Sequence, residues 1–134
     1  MSAELIAALN ASLDDERKAE ATYVAVMDKF GPVAPFSNII EAERKHAAMV
    51  IDLFEDRKLD VPANSWLGQG KAEETLVANC VVGITAEEEN IEMYDRLIAT
   101  LSPDDEDVKQ VFLALQAASR DKHLPAFKQC AGVI

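Results

Sequence analysis

Apolar residues recur at intervals of three and four along most of the chain, the spacing that collects side chains on one face of an α-helix. Residues that end helices interrupt this pattern at Gly31-Pro32, along 58–71 and at Ser102-Pro103. The pattern therefore predicts an all-α fold of four amphipathic helices. Their predicted spans are 2–29, 36–57, 72–101 and 103 to about 130.

The lengths of the links predict the directions of these helices. The link 30–35 is short, so the first two helices should be antiparallel neighbours. The 14 residues of 58–71 can extend to about 45 Å, which exceeds the roughly 33 Å length of a 22-residue helix. We therefore expect antiparallel helix pairs with a crossover connection between helices two and three.

Ionisable side chains interrupt the apolar stripe near the middle of every predicted helix. These inward positions are Glu16 and Glu20 in the first helix, Glu43 and His46 in the second, Glu87 in the third and His123 in the fourth. A buried carboxylate costs several kcal/mol unless a cation or hydrogen bonds compensate it. Because all four helices carry such groups at a similar level, the sequence predicts a metal pocket in the bundle core.

Several of these positions also have simpler interpretations. Glu16 and Glu20 fit a polar interruption that water or a buried arginine satisfies, and a Glu three residues before His46 can arise by chance in an acidic chain. His123 lies at the edge of its stripe and close to Pro125, which should kink the fourth helix. A half-buried structural histidine is therefore the alternative there.

Composition limits the remaining classes of function. The formal net charge of −11 repels nucleic acids and anionic membranes, so we expect neither as a partner, whereas small cations are attracted. With no basic leader or long apolar run in view, we expect one cytoplasmic domain over residues 1–134. Cys80 and Cys130 lie far apart without Cys-x-x-Cys spacing, and we interpret both as reduced, largely buried residues.

The donor types narrow the choice of metal. Carboxylates and imidazoles without a thiolate suit iron or manganese, and in principle zinc. Bundles that supply Glu from two helices and Glu-x-x-His from the other two hold di-iron or di-manganese centres. The sequence therefore predicts a mononuclear or a dinuclear carboxylate and histidine site.

Over nearly its whole length the chain resembles the ferritin-like superfamily, and within it rubrerythrin. The positions that carry the resemblance are Glu16 with Tyr23, the run 41–47, Glu87 with Asn90 and Tyr94, and His123 with Phe127. The chain is also similar to an uncharacterised bacterial ferritin-like family, through Phe36-Ser37-Asn38-Ile39 and the segment 119–127. The resemblance implies a four-helix bundle in which Glu16, Glu43, His46, Glu87 and His123 are metal ligands.

Three departures from the rubrerythrin pattern affect this expectation. Arg120 occupies the position of a carboxylate in the fourth-helix motif, Asn90 replaces a further acid, and the Cys-x-x-Cys pairs of a rubredoxin-type module are absent from the sequence. We hypothesise that Glu20 supplies a replacement carboxylate. The alternative is a buried pair between Glu20 and Arg120, with only one metal bound.

The function that this resemblance implies is redox chemistry with O₂ or peroxide at an iron or manganese site, as in a di-iron oxidase or peroxidase. Two alternatives are iron sequestration and a purely structural helical interaction module with a degenerate site. We also expect a homo-oligomer, in particular a dimer. Trp66, in the long connection, is interpreted as a hydrophobic lid against the bundle.

Overall fold

The computed structural model of the protein describes residues 2–134, in which every regular element is helical. The elements are α1 Ala3–Phe30, α2 Phe36–Asp56, α3 Leu76–Ala99, α4 Glu106–Ala118 and α5 Leu124–Cys130, with a 3-10 turn Pro103–Asp105 and a π turn Ser119–His123. The elements α4, the π turn and α5 are contiguous and form one rod, so the prediction of an all-α fold with four helical rods is confirmed. Within the described residues, no helix has the length and apolar character that crossing a bilayer requires.

Side-chain caps set where the helices begin. Ser2 Oγ accepts a hydrogen bond from the Leu5 N–H at 3.1 Å and caps the start of α1. The start of α3 was predicted too early, because Thr75 Oγ1 caps that helix by accepting from the Ala78 N–H at 3.1 Å. Asn79 also bonds the backbone of Glu73, which holds the preceding residues outside the helix.

Contacts along the rods give their directions. Ser12 near the start of α1 bonds Tyr94 near the end of α3, whereas Tyr23 further along α1 bonds Glu87 earlier in α3, so these two helices are antiparallel. The later part of α1 likewise meets the start of α2, where the Tyr23 and Phe36 rings lie 5.6 Å apart. Helices α2 and α3 therefore run in the same direction.

The connection between α2 and α3 is held against α1. The Trp66 indole N–H donates to Asp14 Oδ1 at 2.9 Å, and the Lys18 ammonium lies 5.5 Å from the centre of the indole ring. Gly70 approaches α1 so closely that any Cβ would overlap the Ala21 carbonyl. These contacts fix the path of the long connection along the first helix.

Two apolar cores lie on either side of the level of the inward acids. One core contains Leu5, Ala8, Leu9, Leu13, Ala47, Val50, Leu53, Phe54, Tyr94, Val108, Phe112 and Leu115. The other contains Tyr23, Val26, Phe36, Ile39, Ile40, Cys80 and Phe127. On every rod the inward ionisable residues come between these two sets, so they form a polar layer sealed by apolar packing above and below.

A disulfide joins Cys80 of α3 to Cys130 of α5, with the Cα atoms 5.9 Å apart. The interpretation of both cysteines as reduced was therefore wrong. Their sequence separation of 50 gave no spacing signal, and only the antiparallel packing of α3 and α5 brings them together. The close approach continues at Gly83, where an added Cβ would lie 2.7 Å from the Phe127 ring.

Candidate metal centre

Five of the six predicted site residues meet in the polar layer. They form two groups, Glu16 with Glu43 and His46, and Glu43 with Glu87 and His123. Within each group the possible ligand atoms all lie within 4.8 Å of one another. Glu43 belongs to both groups, so its carboxylate lies between the other four side chains.

The first triad comes from α1 and α2. His46 Nδ1 lies 3.7 Å from Glu16 Oε2 and 3.9 Å from Glu43 Oε2. Glu16 and Glu43 are each 2% exposed, because the antiparallel packing of α1 and α2 turns both into the core. Since Glu43 and His46 are three residues apart, one face of a regular helix presents them together.

The second triad adds residues from α3 and the π turn. His123 Nδ1 lies 3.3 Å from Glu43 Oε1 and 3.2 Å from Glu87 Oε1. Glu87 and His123 are both buried. Each triad contains one histidine, and the imidazoles of His46 and His123 are stacked with their centroids 5.8 Å apart.

Two tyrosine hydroxyls orient the outer carboxylates. Tyr94 donates to Glu16 Oε1 at 2.7 Å and contacts Ser12 Oγ at 2.9 Å. Tyr23 donates to Glu87 Oε1 at 3.1 Å. Burial is the main cause that raises the pKa of both tyrosines well above the ordinary value, and the negative charge of Glu87 near Tyr23 and of Glu16 near Tyr94 adds to it. Each hydroxyl therefore stays a hydrogen-bond donor.

The protonation of the three glutamates is strongly interdependent. Burial, together with the negative charges of Glu16 and Glu87, raises the pKa of Glu43 well above its ordinary value. Burial also acts to raise the pKa of Glu16, but its contacts with Glu43, His46 and the Tyr94 hydroxyl outweigh that effect and lower it. Without a cation, the central carboxyl group therefore releases its proton at a higher pH than an ordinary glutamate does.

One oxygen of that central group has no hydrogen bond. Glu43 Oε2 is buried without a partner among the described residues, and His46 Nδ1 at 3.9 Å is beyond hydrogen-bonding range. An unsatisfied buried carboxylate oxygen is costly and uncommon in folded proteins. Oxygen and imidazole donors grouped around this atom fit iron, manganese or zinc, because a bound ion would satisfy it.

The π turn brings His123 into line with the second triad. The Leu124 N–H donates to the Ser119 carbonyl five residues earlier, which widens the helix at this point. In an α-helix, four residues advance about 400°, so side chains spaced by four drift about 40° per step. The wider turn reduces this drift and keeps Ser119, His123 and Phe127 on the buried face. The distortion that was predicted for the fourth helix near Pro125 is thus observed as this π turn.

Glu20 is the predicted site residue that the structure leaves outside the cluster. It pairs with Arg44 of α2 at 3.2 Å, and its side chain is 29% exposed. The reason is its position one turn after Glu16, which rotates it about 40° toward the edge between α1 and α2. The alternative pairing with Arg120 was wrong too, since Arg120 is exposed and pairs with Asp121 at 3.0 Å.

Asn90 links the layer to its surroundings in a way that the sequence did not reveal. Its Nδ2 donates to Asp15 Oδ2 at 2.6 Å, and its Oδ1 accepts from Ser119 Oγ at 2.8 Å. Asp15 is not among the inward positions that the periodicity predicts, but burial raises its pKa to about 6. No helical periodicity would have found this link, because it joins α1, α3 and the π turn.

A cleft of about 300 Å³ connects the centre to the surface between α1 and α3. Glu43, Glu87 and Tyr23 line its inner part, and exposed residues of α3 such as Val81 and Val82 line its mouth. Small molecules therefore have a route to the two carboxylates that the second triad contains.

Comparisons with known proteins give a fold but no function. Neither a protein-family model nor a curated protein sequence matches the chain. The crystal structure of a hypothetical protein from Methanococcus jannaschii is similar to it, with a TM-score of 0.87 and 23% sequence identity over 99% of this chain and 82% of that one. At this identity, the similarity shows a shared helical fold alone.

Proposed function

We propose that the protein is a ferritin-like four-helix bundle that holds two redox-active metal ions, iron or manganese, and reacts with O₂ or peroxide. The observation that carries this proposal is the sharing of buried Glu43 between two triads, each of which has one further carboxylate and one imidazole. This donor set matches the requirements of a carboxylate-bridged pair.

The charges of the layer favour two ions over one. Glu16, Glu43 and Glu87 together supply three negative charges when ionised, and no Lys or Arg pairs with any of them among the described residues. Two divalent ions would offset this buried charge, whereas one would leave the other triad unsatisfied. Glu43 would bridge, Glu16 and His46 would bind one ion, and Glu87 and His123 would bind the other.

The ferritin-like assignment rests on topology and on the resemblance of the ligand pattern. Antiparallel contacts of α1 with both α2 and α3, and the long connection from α2 to α3, agree with a crossover bundle. The rubrerythrin-like relation is part of the proposal.

The roles of the protein groups follow from their contacts. Iron or manganese, when bound, would exchange electrons with O₂ or peroxide. Tyr94 and Tyr23 would keep Glu16 and Glu87 oriented for binding, and their raised pKa values keep them protonated. The apolar cores on both sides would exclude water, and the cleft between α1 and α3 would admit the oxidant.

Metal counting tests this proposal. Elemental analysis of the full-length protein loaded with Fe(II) or Mn(II) should give two ions per chain, and anomalous scattering should locate them on either side of Glu43. Glu43→Gln should lose both, because the amide cannot bridge two cations. Glu41→Gln, an exposed change on the same helix, is the matched control and should keep both. Retention of both ions by Glu43→Gln would contradict the dinuclear assignment.

Reactivity needs its own measurement. The metal-loaded protein should consume peroxide or O₂ and should hold no more than two ions per chain, whereas a sequestering protein would take up many. Metal should also raise the melting temperature, since at a concentration of 100 Kd an ion adds about 2.7 kcal/mol of stability. If loading changes neither the melting temperature nor the peroxide concentration, the proposal fails and a structural role is favoured. Light scattering tests the expected dimer.

A further inference from the structure

Small side chains line the cleft between α1 and α3. They are Ala19 and Thr22 of α1 and Ala86 of α3. Neighbouring helices in a core normally interdigitate larger side chains at native packing density. Three small residues along these walls therefore leave open a volume that larger aliphatic residues would have filled.

This volume exceeds the needs of the oxidant. A water molecule takes up about 30 Å³ of liquid, and O₂ and peroxide are of comparable size. The cleft has a volume of about 300 Å³, which reaches the lower end of the range for small-molecule sites. A channel for O₂ or peroxide alone would not require walls this far apart.

The walls indicate what kind of molecule would fit. Apolar groups predominate, and Val81 and Val82 at the mouth are 49% and 41% exposed. Exposed apolar side chains beside a concave surface are typical of ligand sites. Within residues 2–134, four acidic residues line the cleft, whereas Lys18 is the single cationic residue there. The electrostatic potential of the cleft therefore disfavours anions.

The inner end of the cleft reaches the polar layer. Glu43 and Glu87 line it there. A molecule seated in the cleft would thus lie directly against the proposed metal pair.

We propose that this cleft binds an uncharged, mainly apolar organic molecule of about the size of indole, with its inner end beside Glu43 and Glu87. The role of this molecule as an organic substrate rests on the proposed redox function. Its binding does not depend on that function, because the walls that hold the molecule belong to α1 and α3.

Calorimetric titration with indole tests the binding directly. Full-length protein should bind indole saturably at one site per chain, both after chelation and with diamagnetic Zn(II) added. In nitrogen-15 NMR spectra, the largest shift changes should fall at Ala19, Thr22 and Ala86. Indole-3-acetate should bind more weakly than indole, because its carboxylate enters an acidic site. Tighter binding of the anion would overturn the assignment of an uncharged ligand.

Variants that fill the cleft provide the control. Ala86 is exposed at the wall, so Ala86→Phe should fold normally and raise the indole dissociation constant about tenfold or more, and Ala86→Trp should abolish binding. Ala48→Phe, an exposed position on α2, should have no effect. Equal affinity of Ala86→Phe and Ala48→Phe, or shift changes spread over the whole molecule, would overturn the proposal.

The same samples separate this inference from the metal proposal. If indole binds but elemental analysis finds no metal, the cleft assignment stands and the dinuclear assignment fails. If two metal ions bind but indole does not, only the cleft assignment fails.

Discussion

The two triads that share Glu43 are built on different kinds of helix. Glu16 and His46 project from α1 and α2, which are regular α-helices, whereas His123 projects from a π turn. The contacts differ as well: His46 Nδ1 lies 3.7 and 3.9 Å from its carboxylates, but His123 Nδ1 lies 3.2 and 3.3 Å from its own. The second histidine is also the more deeply buried, with 5% of its side chain exposed against 12% for His46.

This difference shows two ways of placing a ligand. In the first triad, the spacing of Glu43 and His46 on one helical face is sufficient once α1 and α2 pack together. In the second, the position of His123 depends on the π turn and on what anchors α5, namely the disulfide to Cys80 and the packing of Phe127 on Gly83. The second triad should therefore be more sensitive to changes outside the site.

Removing each imidazole should have the largest effect. We expect His46→Ala and His123→Ala each to reduce the metal content from two ions to one, because Glu43 and one complete triad remain. Elemental analysis gives the count, and anomalous scattering shows which position is lost. Lys122→Ala, an exposed change beside His123, should keep both ions. Loss of both ions in either histidine variant would mean that the triads are not separable.

Opening the disulfide should affect the two triads unequally. The double variant Cys80→Ala/Cys130→Ala frees α5 from α3, and we expect the free energy of unfolding to fall by about 2–4 kcal/mol. Since His123 precedes α5 directly, the ion at His123 should be bound more weakly while the ion at His46 changes little. Urea unfolding and metal titration measure these effects, and reduction of the wild-type protein with a dithiol is the control. Equal weakening at both positions would contradict the proposed anchoring role.

Loss of the tyrosine hydroxyls should have smaller effects, divided between the triads. Tyr94→Phe removes the donor to Glu16, and Tyr23→Phe removes the donor to Glu87. Such partners of ligands typically contribute about 10- to 100-fold to metal affinity. Metal titration should show each variant weakening mainly its own triad. If both variants weaken the same ion, the assignment of carboxylates to triads is incorrect.

The pH dependence of the metal-free protein should be the smallest effect. Because burial raises the pKa of Glu43 well above 4.5, the folded protein holds a proton there that the unfolded chain releases. Stability should therefore fall as pH rises above 4.5, by at most about 1.4 kcal/mol per unit, until Glu43 itself ionises. The lowered pKa of Glu16 has the opposite effect, but below that range.

Thermal melts between about pH 5 and pH 8 measure this slope. Bound metal should remove it, because the ion replaces the proton on Glu43. Glu43→Gln should remove it in the metal-free protein as well, since the amide does not titrate. A slope that persists in Glu43→Gln would assign the titration to another group.

Much of the fold could be predicted because helical periodicity is a local property. The breaks at Gly31-Pro32 and Ser102-Pro103 mark real helix ends, and Glu16, Glu43 and Glu87 lie in the core where the apolar stripe placed them. The start of α3 was missed because the Thr75 cap depends on a single hydrogen bond that periodicity does not report. Cys80 and Cys130 were misjudged for a similar reason, since contacts between distant positions leave no local pattern.

For the candidate site as well, the sequence predicted some positions correctly and others wrongly. Glu20 and Asp15 lie near the margins of the buried face of α1, where a rotation of about 40° decides whether a side chain is buried. Periodicity placed Glu20 on the buried face and Asp15 outside it. In the structure, the ion pair with Arg44 holds Glu20 toward the surface, and the hydrogen bond from Asn90 holds Asp15 partly buried. The neighbouring helices decide such cases.

The amino-acid sequence by itself determined that the chain forms amphipathic helices with acids and imidazoles on their apolar faces, because each helix repeats its own pattern every turn. Only the tertiary structure decided that two triads share Glu43, that the π turn aligns His123, and that a disulfide fixes α5. The physical reason is distance along the chain: these relations join residues tens of positions apart, and the packing of whole rods determines which of them meet.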